Sequence, residues 1–328
     1  MCHVYRGKSK PSRRGSRYRD IRLKPMDKVY QNLRLTGNLH FPNQSIIPFI
    51  FKYLKITCIR SPDKPLRKGV AFPFVRRFLS INQKFPEQCP VEVVLLSRNS
   101  VITGKRVFHS IHHHGLDITR AAFLEGKSPY AYIPAFNASL FLSANASDVF
   151  QAIDYGYAAG TVLPSKVVDD EGDTELRIAF DFDGVIADDA SERVYKAGSL
   201  EEFQEHETSR SQIPHSPGPL ADLFRKLSHL QTLEDQALTN DPEYKRVLRT
   251  AIVTARNAPS HERVITTLEH WGVNANEVFF LGGMKKDRIL NVLKPHMFFD
   301  DQRSHLESDA GDIPMVHISF GVANKVAT

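Results

Sequence analysis

Cysteine is scarce in this chain. Its 328 residues include three, Cys2, Cys58 and Cys89. They are odd in number and form no CxxC pair, which excludes a disulfide framework and points to a reducing, cytoplasmic setting. Long apolar runs are missing as well. The longest, Ile46 to Phe51, is broken by Pro48 and falls far short of the roughly 20 residues a membrane helix needs, so no membrane partner is expected. Acidic side chains are nearly absent from the first 34 residues, which hold 11 basic and 2 acidic groups. That stretch has no apolar centre and so does not read as a secretory signal.

The formal net charge of +6 therefore belongs to a tail, and the remaining chain, with 32 basic and 35 acidic residues, is mildly acidic. Runs such as Arg13-Arg14-Gly15-Ser16-Arg17-Tyr18-Arg19 read as a solvated extension; any nucleic-acid contact is expected through this tail alone. Apolar residues make up 41% and charged residues 24%, a globular mixture that excludes wholesale disorder and fibrous architecture. The length suggests two domains. Nothing in the pattern specifies an oligomeric state.

From Gly69 onward, short β-rich runs alternate with helical periodicity. Strands are expected at Val91–Leu96, Leu140–Ser143, Leu176–Phe180, Thr250–Val253, Val278–Leu281 and Met297–Phe299. Helices are expected at Lys105–His113, Leu220–Leu230 and Pro259–Trp271. Such alternation implies βαβ units on a parallel sheet. The two halves also resemble one another. Val94-Leu95-Leu96-Ser97-Arg98-Asn99 matches Ile252-Val253-Thr254-Ala255-Arg256-Asn257. After one gap, Gly115 meets Gly272 and Leu140–Ala144 meets Met297–Asp301. We read an internal duplication of an α/β unit. In that alignment Thr254 replaces Leu96, and Asp300 and Asp301 replace Ser143 and Ala144, so the chemistry is expected in the second half. The organisation is then a basic tail and divergent segment at 1–60, a degenerate repeat at 61–165, and a catalytic domain at 176–328 with a small helical cap at 188–219.

The strongest local signal is Arg177–Val185, an apolar strand that ends in Asp181-Phe182-Asp183-Gly184. Ligands of open α/β sheets gather at the carboxyl ends of strands, and glycine permits a tight turn there. Three other strand ends carry matching groups: the Thr254 hydroxyl, the Lys285 and Lys286 ammoniums, and the paired Asp300 and Asp301. Together they describe a site for a phosphate and a divalent cation. Like charges about 4 Å apart repel by roughly 4 kcal/mol at an effective dielectric near 20, so these carboxylates and a phosphate dianion require a cation. All-oxygen ligands suit Mg²⁺. Arg256, Arg98 and Asn99 are candidate substrate contacts.

This order of motifs resembles the haloacid dehalogenase superfamily. Val91–Ser100, His114–Phe123, Asp181–Asp189, Thr250–Val264, Phe279–Gly283 and Phe298–Gln302 are similar to the type I cytosolic 5′-nucleotidase family, over roughly Lys64 to Asn324. The resemblance implies a Rossmann-like parallel sheet and hydrolysis of nucleoside 5′-monophosphates. Asp181 would be the nucleophile and Asp183 the general acid and base. Thr254 and Lys286 would hold the phosphoryl group, Lys286 fitting the family spacing better than Lys285. Asp181, the Asp183 carbonyl and Asp300 would hold Mg²⁺, with Asp301 alongside. Phe182 stands where the family commonly has a smaller residue. Residues 1–60 do not resemble the family's first strand; either Ile46–Phe51 supplies a substitute strand or the region is a divergent start. The rival readings are a phosphatase acting on another small phosphate ester and a catalytically silent nucleotide- or nucleic-acid-binding protein. Removing residues 1–34 should leave phosphate release unchanged while abolishing salt-sensitive retention on an anionic resin.

Overall fold

In a computed structural model, the described residues are 47–52, by backbone alone, 64–307 and 312–324. The basic tail, Cys2 and Cys58 lie outside them. The first half contains β1 (Ile47–Lys52), α1 (Phe72–Lys84), β2 (Val91–Ser97), α2 (Val101–His113), β3 (Arg120–Phe123), β4 (Leu140–Ser143), α3 (Ala146–Asp154) and β5 (Ala159–Val162). The second half begins with β6 (Leu176–Phe180), α4 (Ala190–Ala197), α5 (Leu200–Ser209), α6 (Ala221–Asn240), β7 (Leu248–Thr254) and α7 (His261–Trp271). It continues with β8 (Glu277–Phe280), α8 (Asp287–Leu293), β9 (Met297–Asp300), α9 (Arg303–Leu306) and β10 (Met315–His317). No helix among the described residues is long and apolar enough to cross a membrane.

β2, β6 and β9 read as near-continuous apolar runs because helices cover both faces of a parallel sheet; all but one or two of their residues are buried. Phe180 anchors the second half, stacked on Phe299 at 5.1 Å and edge-on to Phe224 of α6 at 5.5 Å. α6 runs ten residues beyond its expected end. Its buried Glu234 accepts the Val247 N–H (2.6 Å) and the Tyr244 hydroxyl (3.1 Å), tying the last turns to the approach of β7. α2 starts at Val101 rather than Lys105. Its first residues, Val101 and Ile102, are apolar yet 75% and 80% exposed, which hides the amphipathic stripe at that end. β3, β5 and β10 have three or four residues each, too few to show a period.

The ten strands among the described residues form one sheet in the order β3-β2-β1-β4-β5-β10-β9-β6-β7-β8. Read outward from the β5–β10 seam, both sides have the same order. Every pairing is parallel except the seam, which is antiparallel. The carboxyl ends of β1–β4 therefore emerge at the edge opposite to those of β6–β9. The turns repeat as well. Leu124, Glu125 and Gly126 N–H groups donate to the Ser97, Asn99 and Arg98 carbonyls; Leu281, Gly282 and Gly283 donate to Thr254, Arg256 and Ala255. The spacing is 157 throughout (97 to 254, 124 to 281), with no gap. The sequence alignment was thus one residue out in β2: Thr254 occupies the place of Ser97, not of Leu96. At the two outer strands the pairs Glu92–Arg120 and Arg249–Glu277 hold equivalent positions with their charges exchanged.

Gly160 lies on β5 beside the seam, where an added Cβ would strike the Val316 side chain and crowd Ile318 and Leu142. Gly160→Val should overpack this junction by about 1–3 kcal/mol, measured as a lower urea midpoint with an unchanged slope.

Candidate active site

β6 delivers Asp181 to the sheet edge, and the chain turns at once. The Phe182 N–H donates to Asp181 Oδ1 (2.7 Å), and the Ala187 N–H closes the turn on the Phe182 carbonyl (2.9 Å). Gly184 has φ +70° in this turn. A Cβ there would come within 2.5 Å of Asp301 Oδ2, so the position excludes a side chain on two counts.

The neighbouring strands β7 and β9 bring Thr254, Asp300 and Asp301 to the same edge, all buried. Lys286 follows two glycines with positive φ after β8 and is also buried. Its Nζ lies 2.7 Å from both Asp181 Oδ2 and Asp300 Oδ2. Lys285, its neighbour, is exposed. Burial alone would lower the Lys286 pKa, but the two carboxylates override it and hold the ammonium form well above the usual range. Asp300 also accepts the Gln302 N–H (2.8 Å) and faces His305 Nδ1 at 3.1 Å. Despite burial, Lys286 and His305 keep its pKa low. Burial, with the neighbouring Asp300 and Asp183 charges, pushes Asp181 up to about 7 against the pull of Lys286.

Asp301 is different. Its carbonyl is pinned by His317 Nε2 (3.1 Å) and Asn324 Nδ2 (2.9 Å), while both side-chain oxygens are buried with no partner. Burial, and then the charges of Asp181, Glu192 and Asp300, raise its pKa to about 10. Three buried carboxylates thus face one buried ammonium. Buried charge persists only when paired or bound to metal, so an oxygen-preferring divalent cation fits this pocket. Ligand atoms of Asp181, Asp300 and His305 also lie within 4.8 Å of one another.

Asp183 faces Arg256, whose Nε and one terminal nitrogen donate to its two carboxylate oxygens at 2.7 Å each. Arg256 is thus committed to protein carboxylates instead of presenting a free fork to substrate. Arg98 and Asn99 are not brought to this cluster. The antiparallel seam turns β2 the other way, and Arg98 pairs with buried Asp148 and the Gly126 carbonyl. Sequence reasoning missed His305, Glu192, Glu207 and His215. His305 lies on α9, four residues after Asp301, a usable signal. Glu207 lies among Glu201, Glu202 and Glu205, and only its burial sets it apart.

Because the folded chain holds the Asp301 proton more tightly than the unfolded one, metal-free protein should lose stability as pH rises from about 4 towards 10. Asp301→Asn should raise the melting temperature at pH 8 in chelator, and blunt the rise that added Mg²⁺ produces in the parent.

A family model described as 5′-nucleotidase matches residues 52–325. Human cytosolic 5′-nucleotidase 1B is 34% identical over 248 residues, covering 74% of this chain and 40% of that relative. No solved structure gives a significant match. With acidic strand ends meeting at one sheet edge, and a match running through nearly all the described residues, this chain belongs to the 5′-nucleotidase family.

Proposed function

We propose that this chain is a Mg²⁺-dependent hydrolase that splits nucleoside 5′-monophosphates into nucleoside and phosphate through an aspartyl-phosphate on Asp181. The observation that carries this reading is the meeting of Asp181 and Asp300 around the Lys286 ammonium, beside the Asp301 carboxylate without a partner. An Asp181 carboxylate oxygen attacks phosphorus, and the bond to the nucleoside 5′-oxygen breaks. Asp183 gives that oxygen a proton, then takes one from the water that attacks the aspartyl-phosphate, and free phosphate and Asp181 are restored. Lys286 and the Thr254 hydroxyl stabilise charge on the phosphoryl oxygens.

Asp181, the Asp183 carbonyl, Asp300 and Asp301 would hold the cation. When bound, Mg²⁺ neutralises the carboxylates and polarises the phosphoryl group. The Asp301 side-chain oxygens, which accept from no protein donor, are free to take the part among the metal ligands that the sequence reading gave this residue.

Between Ala187 and Gly218 the chain leaves the core as α4 and α5 and returns beside its exit, the Asp188 N–H donating to Ser216 O (2.9 Å) and the Gly218 N–H to Ile186 O (2.8 Å). This supports its reading as a cap on a catalytic domain of haloacid dehalogenase type, at 176–328. The matched strand order and turns support a duplicated first half at 61–165. There, Ser97 and Ser143 still close the turns through the Asn99 and Asn145 N–H groups, as Thr254 and Asp300 do, but the carboxylates are absent. The scarce cysteines and the name of the human relative support a cytoplasmic setting.

Purified protein should release phosphate from AMP, IMP and pyrimidine monophosphates with Mg²⁺ and not with excess chelator, and sugar phosphates should be poor substrates. Asp181→Asn should lose at least about 10⁴-fold in turnover while keeping its melting temperature.

A further inference from the structure

The bulky Phe182 between the two catalytic aspartates has a place in the structure that the mechanism above does not use. Its ring lies 5.6 Å from the Arg256 guanidinium carbon and edge-on to His215 at 5.5 Å. Phe203 of α5 lies 5.6 Å from the same carbon. Arg256 is thus held near two rings, one from the core and one from the cap, and is itself buried.

Its polar edge is as fully committed. One side grips Asp183 through both oxygens. The remaining terminal nitrogen donates to Glu207 Oε2 and to the Ser260 carbonyl (3.1 Å). Glu207 belongs to α5, and its side chain is fully buried. Its Oε1 accepts from the Ser191 hydroxyl (2.6 Å) and Arg263 (2.9 Å) and lies 2.9 Å from His206 Nδ1; His215 Nε2 is 3.4 Å from Oε2. A buried carboxylate with this many partners fixes its own position tightly.

We propose that Glu207 and Arg256 are positioning residues. Glu207 holds the guanidinium, the guanidinium aims the Asp183 carboxyl at the leaving oxygen, and docking of the cap and alignment of the proton donor become one event. This rests on the reading of Asp183 as general acid. A two-pronged contact takes one lone pair from each Asp183 oxygen and leaves another on each. The carboxyl can then carry and deliver a proton but cannot spin about its own bond. A guanidinium freed from Glu207 can pivot, and the carboxyl turns with it.

The test compares leaving groups. Release of adenosine from AMP needs a proton on an alkoxide, whereas p-nitrophenolate departs without one. Single-turnover release from AMP and from p-nitrophenyl phosphate is measured for full-length Mg²⁺-loaded protein and its Asp183→Asn, Glu207→Gln and Phe203→Leu variants. The ratio of the two rates is independent of the fraction of enzyme folded. Glu207→Gln should slow AMP about 100-fold more than p-nitrophenyl phosphate, as Asp183→Asn does, and Phe203→Leu about tenfold more. Equal slowing of both substrates by Glu207→Gln and Phe203→Leu, with Asp183→Asn still discriminating, overturns the positioning role alone. Equal slowing by Asp183→Asn overturns the general-acid reading and this inference with it.

Discussion

One ammonium group between two carboxylates sets the terms for this sheet edge. Lys286 neutralises part of the charge that Asp181 and Asp300 bring into a buried pocket, and Asp301 is left over. At an effective dielectric near 20, each uncompensated pair at about 4 Å costs roughly 4 kcal/mol, a sizeable share of the stability of a typical domain. The local structure follows from that constraint. Positive-φ glycines after β8 bring Lys286 inward, and Gly184 leaves room for Asp301. The His317 and Asn324 contacts fix the Asp301 backbone carbonyl, and its carboxylate is buried beside Gly184. Without a metal ion, the excess charge is relieved by the proton that Asp301 retains.

The same balance extends outward in alternating signs. Asp183, Arg256, Glu207 and Arg263 form a chain from the turn after β6, through the end of β7, to α5 and back to α7. Each charge has an opposite neighbour, so the series is buried without a large net charge. Removing one member leaves its neighbour uncompensated, which is far more costly than never having placed the pair there. α5 is therefore joined to β7 and α7 by polar contacts that tolerate little change, in contrast to the apolar packing beneath the sheet.

Much of this was legible in the sequence. Asp181, Asp183, Thr254, Lys286, Asp300 and Asp301 each come at or just beyond the end of an apolar strand, and strand ends of a parallel sheet converge by topology alone. Glu207 was not legible, because its partners Arg256 and Arg263 are 49 and 56 residues away and its neighbours in sequence are equally acidic. Arg98 and Asn99 misled for a different reason. Resemblance between halves carries no information on how the halves face each other, and the direction of the seam put those residues on the far edge. The run of similar aliphatic side chains in β2 likewise allowed a one-residue slip that only the ladder register removes.

The exchanged ion pairs at the two ends of the sheet have a separate consequence. β3 and β8 are the outermost strands among the described residues, each four residues long, and each has a long charged side chain, Arg120 or Glu277, tethered to the strand inside it. A short, charge-bearing border is a poor template for recruiting a foreign strand. Among the described residues, a sheet this wide thus offers a further strand little to pair with at either border.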